Sequence, residues 1–276
     1  MADESTHYIC STCGTQFSAS AQPPSTCPIC ADERQYIGAG GQAWTTLERL
    51  RRGHRNAYAE IEPGLMGIGT MPEFAIGQRA LLVRTREGNY LWDCIALLDA
   101  ATIAIVNALG GLRGIAISHP HYYTTMVEWS RAFGDAPIYL HAGDREWVMR
   151  DDPAIRYWEG ERKTLADGLT LVRCGGHFTG GTVLHWAHAA DGRGALLSGD
   201  IVQVVFDRRF VSFMRSYPNL VPLPASEVTR IAATLTPFAF DRVYGAWWDR
   251  HVEKDGKAAV MASAERYVRA LAEPAS

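Results

Sequence analysis

The chain has 276 residues, 47% of them hydrophobic and 21% charged, with a formal net charge of -3. Such a chain buries one full core plus a small appendage, which excludes a disordered protein. The near-balanced charge argues against a protein built to grip nucleic acid or an anionic membrane; the basic run RLRRGHR, Arg49 to Arg55, reads as a solvated helix face.

The first residues, MADESTHYICST, are acidic where a secretory leader is basic, and they lack its apolar core. No stretch approaches the roughly 20 apolar residues of a membrane span. A cytoplasmic protein without a membrane partner is therefore expected. In a reducing compartment, paired cysteines read as a metal clip and not as a disulfide framework. Cys10, Cys13, Cys27 and Cys30 give the spacing C-x2-C-x13-C-x2-C, in which each pair can form a tight turn whose sulfurs converge on one tetrahedral ion. About 35 residues surround these pairs, too few to bury a core, so the metal must supply much of their folding free energy. A four-cysteine, zinc-ribbon-like module over residues 1–38 and a second domain over 39–276 follow, joined at Gly38 to Gly41. CSTCG and CPIC also resemble the iron-binding knuckles of rubredoxins, although the loop between them is short for that family and Ala31 stands where it usually has glycine. Structural zinc is the expected occupant and redox iron the alternative.

Beyond the join, strands and helices alternate. Thr45 or Thr46 opens a helix that Gly53 closes, and ALLVRT with YLWDC forms a hairpin across REGN. Asp99 caps a helix that ends at Gly110 or Gly111. Short apolar strands are expected at GIAIS (Gly114 to Ser118), PIYLH, LTLVRC, TVLHWAH, GALLS and VQVVF (Val202 to Phe206). ASEVTRIAATL is an amphipathic helix, FDRVYG a strand and Asp255 to Ala272 a closing helix. Hairpins mixed with helical crossovers give an α/β sandwich with helices outside.

His119 and His121 stand directly after an apolar strand, where side chains two residues apart project to one side and can share a cation. His177 lies in CGGHFTGG between glycine pairs, and Asp200 ends the strand ALLSGD. Three polar sites, each at the mouth of a buried strand, imply one shared pocket. Asp93 is expected to support the ligands as a hydrogen-bond acceptor. The large side chains after Asp200 read first as core, with Phe213, Met214 and Tyr217 also candidates for a pocket wall that, with Tyr122, Tyr123, Trp247 and Trp248, would narrow the entrance. His185 and His188 alternate with apolar neighbours and read as strand histidines.

The order LWDC, H-x-H, GGH, SGD, last strand and helix resembles the metallo-β-lactamase fold superfamily over most of Gly64 to Ala272. The resemblance implies an αββα sandwich and a metal-dependent hydrolase. Family members with two metals carry H-x-H-x-D-H, and here the last two of those positions are Tyr123 and Thr124. The family's final histidine position falls on Ala246, Trp247 or Trp248. One ion is therefore expected, held by His119, His121 and His177 with Asp200 as fourth ligand or general base, and zinc in such a site generates a hydroxide nucleophile. The substrate would be a small molecule of the ester, thioester or amide class. An iron oxidoreductase is the alternative, since His119, His177 and Asp200 make the two-histidine, one-carboxylate set of non-haem iron oxygenases, a usage that persulfide dioxygenases of this superfamily resemble. A non-catalytic metal-binding scaffold is the third reading. Homo-oligomerisation is left open.

Overall fold

A computed structural model describes residues 5–272. Two compact units divide the chain, Met1–Trp158 and Glu159–Ser276.

The first unit opens with a small ribbon in which β1 (Ile9–Cys10) pairs antiparallel with β2 (Trp44–Thr45). The cysteine segment is thus closed by residues beyond the glycine-rich join. A seven-stranded sheet follows in chain order: β3 (Arg55–Glu62), β4 (Leu65–Met71), β5 (Arg79–Thr85), β6 (Gly88–Trp92), β7 (Gly114–Ala116), β8 (Ile138–His141) and β9 (Ile155–Trp158). Its first half is antiparallel, with Thr85 opposite Gly88 across the expected turn. The strands β6 to β9 are parallel and need crossovers. The helices Ala100–Ala108 and Met126–Ala132 supply the first two. Asp99 caps the former, its carboxylate accepting from the Thr102 N–H at 2.8 Å. The helix Leu47–Gly53 starts in the same way at Thr46.

The strand expected to run to Ser118 stops at Ala116, and the H-x-H motif lies in a short 3-10 turn, Pro120–Tyr122. Pro120 opens the turn, its fixed φ and missing N–H suiting a first helical position and not a ladder, while the Ser118 N–H beyond β7 donates to the Asp93 carboxylate instead of a neighbouring strand. The two histidines are therefore not paired by the alternation of a strand; the turn brings their rings together instead.

The second unit is built on a six-stranded sheet. Its antiparallel part comprises β10 (Arg162–Ala166), β11 (Leu169–Arg173), β12 (Thr182–Trp186) and β13 (Ala195–Gly199). The helix Ala225–Leu235 carries the chain back to Arg242–Gly245, which pairs parallel with β13. Val228, Ile231 and Leu235 of that helix enter a core with Val172, Val183, Leu196 and Val243, on which Val260 and Ala264 of the last helix, Gly256–Ala272, also pack. Where a strand is expected from Val202 to Phe206, only Gln203–Val204 pairs, with Val211–Ser212. The intervening loop leaves Phe206 88% exposed.

Candidate metal centres

In the first unit the four knuckle cysteines are buried, with Cys10 Sγ 3.6 Å from Cys30 Sγ and Cys13 Sγ 3.7 Å from Cys27 Sγ. All four sulfurs lie within 4.8 Å of one another. Sulfurs bound tetrahedrally at about 2.3 Å from zinc sit about 3.8 Å apart, whereas a disulfide draws them to about 2.05 Å. The spacing fits one shared ion and excludes cross-links. Local backbone bonds shape the knuckles: the Gly14 N–H donates to the Cys10 carbonyl at 2.8 Å and the Ala31 N–H to the Cys27 carbonyl at 3.0 Å. Gln42 braces both, its Nε2 donating to Cys10 Sγ at 3.1 Å while its Oε1 accepts from the Cys27 N–H at 3.1 Å. Hydrogen bonds from the other three thiols hold the Cys10 thiol far below its ordinary range, so a thiolate, the ligating form, is favoured there. The remaining cysteines differ. Burial pushes Cys94 and Cys174 each up to about 12, which leaves them protonated and inert.

The H-x-H turn belongs to the same unit. His119 and His121 are buried, their ring centroids 5.0 Å apart. His119 Nδ1 is hydrogen-bonded to Ser118 Oγ at 2.8 Å, which leaves Nε2 as its coordinating nitrogen. The Ser118 N–H in turn donates to Asp93 Oδ1 at 2.8 Å. Asp93 thus acts through the backbone beside the ligand, from a left-handed conformation with φ +58° just after β6. Thr125 Oγ1 donates to the Ala96 carbonyl at 2.9 Å and Trp129 Nε1 to the Ile95 carbonyl at 3.0 Å, pinning the far end of the segment. Tyr122 and Tyr123 are both buried, and burial, together with the charge of Asp144, holds the Tyr123 hydroxyl well above its usual range.

In the second unit His177 and Asp200 are likewise buried. His177 sits on a glycine loop that side chains would not fit. A Cβ on Gly176 would lie 2.9 Å from Ile231 Cδ1, and one on Gly181 would lie 2.7 Å from Ile201 Cδ1. His177 Nδ1–H donates to the Met214 carbonyl at 3.1 Å, so its coordinating nitrogen is also Nε2. Asp200 follows β13, and its carbonyl accepts from the Tyr217 hydroxyl at 2.9 Å. Burial, and then the Asp200 charge, holds that hydroxyl well above its usual range. Of the other aromatic candidates, Phe213 is fully buried in the core of this unit, edge-on to Tyr267, while Met214, Trp247 and Trp248 are partly exposed. His185 is a core histidine whose Nε2–H donates to the Ala239 carbonyl at 2.7 Å. Sequence reasoning missed Ser118 and the Met214 carbonyl, the two groups that orient the rings. Ser118 adjoins His119 and was open to notice; Met214 lies 37 residues from its partner.

Over 267 residues the sequence is 51% identical to the uncharacterised protein YmaE of Bacillus subtilis (strain 168), a match covering 96% of this chain and 97% of that one. The chain belongs to the YmaE family. No family model matches it. Solved structures place this YmaE-family chain in a fold. The DIM-1 metallo-β-lactamase superposes with a TM-score of 0.58 at 16% identity, covering 78% of this chain and 98% of that one. The metallo-β-lactamase FIM-1 of Pseudomonas aeruginosa, in its mono-zinc form, gives 0.58 at 12% identity over 79% of this chain and 97% of that one. The YmaE-family chain therefore has the α/β metallo-β-lactamase fold and carries a four-cysteine cluster near its N-terminus.

Proposed function

We propose that the protein is a metal-dependent hydrolase with one catalytic zinc ion, held by His119, His121, His177 and Asp200, acting on a small-molecule ester, thioester or amide. Three imidazoles and a carboxylate are a donor set that could hold a metal ion. The observation that carries the reading is the matched anchoring of His119 and His177. Each ring spends Nδ1 on a neighbour in its own unit, Ser118 Oγ or the Met214 carbonyl, and so presents Nε2 as its ligand atom. Rings oriented in this way, beside a third imidazole and a buried carboxylate, are what a metal site requires. Such an ion would supply a nucleophile from water at neutral pH and polarise a carbonyl. Asp200, buried beside the end of β13, either completes the ligand set or accepts the proton of the attacking water.

A single ion is favoured because the positions matching the second ligand pair are Tyr123 and Thr124, neither of which is a suitable donor. The fold accommodates one zinc, as the mono-zinc form of FIM-1 illustrates. Hydrolysis of phosphodiesters through two metals, which clamps both attacking and leaving oxygens, is correspondingly disfavoured.

Metal analysis of protein purified without added metal tests this reading. Two zinc ions per chain are expected, one of them lost in Cys10→Ser and the other in His177→Ala, with hydrolysis of a panel of esters, thioesters and amides abolished in the second variant. Iron in place of the second zinc, with oxygen-dependent thiol oxidation, would replace the hydrolase by an oxidoreductase. A single zinc that disappears in Cys10→Ser would leave a scaffold. Asp200→Asn separates the two roles of the carboxylate: loss of the ion marks a ligand, and retention of the ion with lost turnover marks the base.

A further inference from the structure

The cysteine segment does more than close on itself. Directly after its first knuckle, the Gln16 N–H donates to the Thr124 carbonyl at 3.0 Å, three residues beyond His121. Gly14, with φ +80°, lies against the same residue: a Cβ there would meet Thr124 Cγ2 at 3.4 Å and the Cβ atoms of Ala75 and Ala96 at 3.3 Å. Thr124 itself has φ +36°, a conformation costly for a β-branched residue, which persists only when surrounding contacts impose it.

A buried polar clamp reinforces the contact. Gln16 Nε2 donates to Glu128 Oε1 at 3.2 Å, Arg150 donates to Glu128 Oε1 at 2.6 Å, and Arg150 also donates to Gln16 Oε1. Gln16 and Arg150 are both buried, so the bond between them forms where water cannot substitute for it, while Glu128 closes the clamp from a half-buried position. Glu128 lies on the helix that follows the H-x-H turn, and Arg150 follows Trp147 and Met149, which pack on the cysteine cluster. The knuckle, the turn and the helix leaving it are therefore one mechanical assembly, entirely within the first unit.

We propose that Gln16 is a positioning residue for the histidine ligands, and that the cysteine-bound ion, by fixing the knuckle that carries Gln16, sets the affinity of the His119–His121 site for its own ion. The inference rests on the functional reading above. Its physical content is a coupling between two metal sites: an ion in the cysteines orders Gly14 to Gln16, these hold Thr124 in its strained conformation, and Thr124 fixes where the turn ends. Binding energies coupled in this way are reciprocal, so the histidine-bound ion should also tighten the cysteine site.

Cobalt(II) added to the stripped full-length chain reads the two sites separately, because only the thiolate site gives sulfur-to-metal charge-transfer absorption in the near ultraviolet. In Gln16→Ala the cobalt outside the thiolate site is expected to be lost to a competing chelator at concentrations at least about tenfold lower than in the parent, the size of effect usual for groups that orient metal ligands. The thiolate band should remain. The double variant Gln16→Glu/Glu128→Gln exchanges the donor and acceptor ends of the clamp at constant charge and should restore parental affinity, which a variant that merely folds less well would not do. Parental affinity in Gln16→Ala, or no restoration by the exchange, overturns the inference while leaving the hydrolase reading intact. A parent that takes up cobalt only in its thiolates overturns both.

Discussion

Gly176 shows how little freedom single positions retain around the proposed ligands. Its φ of +81° lies in the left-handed region, and the space for a Cβ is taken by Ile231 Cδ1 at 2.9 Å and Leu223 Cδ1 at 3.0 Å. Gly176→Ala is therefore expected to destabilise the protein by about 2 kcal/mol, the sum of backbone strain and forced repacking; a shift of the urea midpoint at unchanged slope would measure it. Ser118→Ala acts differently. It removes the partner of His119 Nδ1 without touching the bond from the Ser118 N–H to Asp93, so the ring loses its orientation while the turn keeps its anchor. The expected outcome is an ion bound roughly 10- to 100-fold more weakly at the histidine site with an unaltered unfolding midpoint, checked by chelator competition alongside denaturant titration. Equal affinity would mean that Ser118 contributes nothing to ring placement.

At the scale of elements, β12 carries a group that makes the fold acid-sensitive. Burial holds the His185 imidazole below its ordinary range, opposed in part by its bond to the Ala239 carbonyl. The folded state thus binds this proton less readily than the unfolded state. Stability contributed by the neutral ring is present above the unfolded value of about 6.5 and falls as pH drops through it, levelling off below the depressed folded value. His185→Gln, which retains a donor toward Ala239, should flatten the unfolding midpoint across that acid window; an unchanged slope would show that other groups govern it. The elements themselves were largely legible in the sequence. Asp99 and Thr46 cap their helices as their side chains suggest, the Thr85–Gly88 turn closes its hairpin, and the apolar stripe of Ala225–Leu235 faces a core, because each of these depends on partners a few residues away or on simple periodicity. The ligand candidates were legible in the sequence as polar residues in the segments that follow apolar strands. Three features were not. Asp93 takes the Ser118 N–H beyond β7 and Pro120 opens a 3-10 turn at the H-x-H motif, outcomes that apolar patterning does not register. The aromatic run after Asp200 reads as core before it reads as pocket wall, and packing alone decides that Phe213 is core. The clamp joining Gln16 to Glu128 and Arg150 spans 112 and 134 residues, and no local pattern announces it.

For the whole molecule, the chain extends beyond what the metallo-β-lactamase fold requires: the solved structures are matched almost completely, yet about a fifth of this chain lies outside the match. The four-cysteine segment has a core of its own, too small to persist without an ion: Phe17 and Ile29 with the four cysteines, flanked by Trp44, Trp147 and Met149. Four buried sulfurs this close together cannot all ionise unless a cation is shared among them, and protonated thiols would lose the charge that draws the knuckles together. Removing that ion should therefore cost the segment its fold, and the loss should reach residues far along the chain because Met149 and Thr124 both bond to it, the Met149 carbonyl accepting from the Ser18 N–H at 3.1 Å. Stripping the thiolate-bound metal with a mercurial and chelator, or replacing Cys13 by Ser, is expected to open residues 5–45 to protease and to raise amide exchange at Gln16 and Ser18 together, as hydrogen-exchange mass spectrometry would record. Protection that survives removal of the ion would mean that packing by Trp44 and Trp147 suffices, and the cysteines would then need an explanation other than folding.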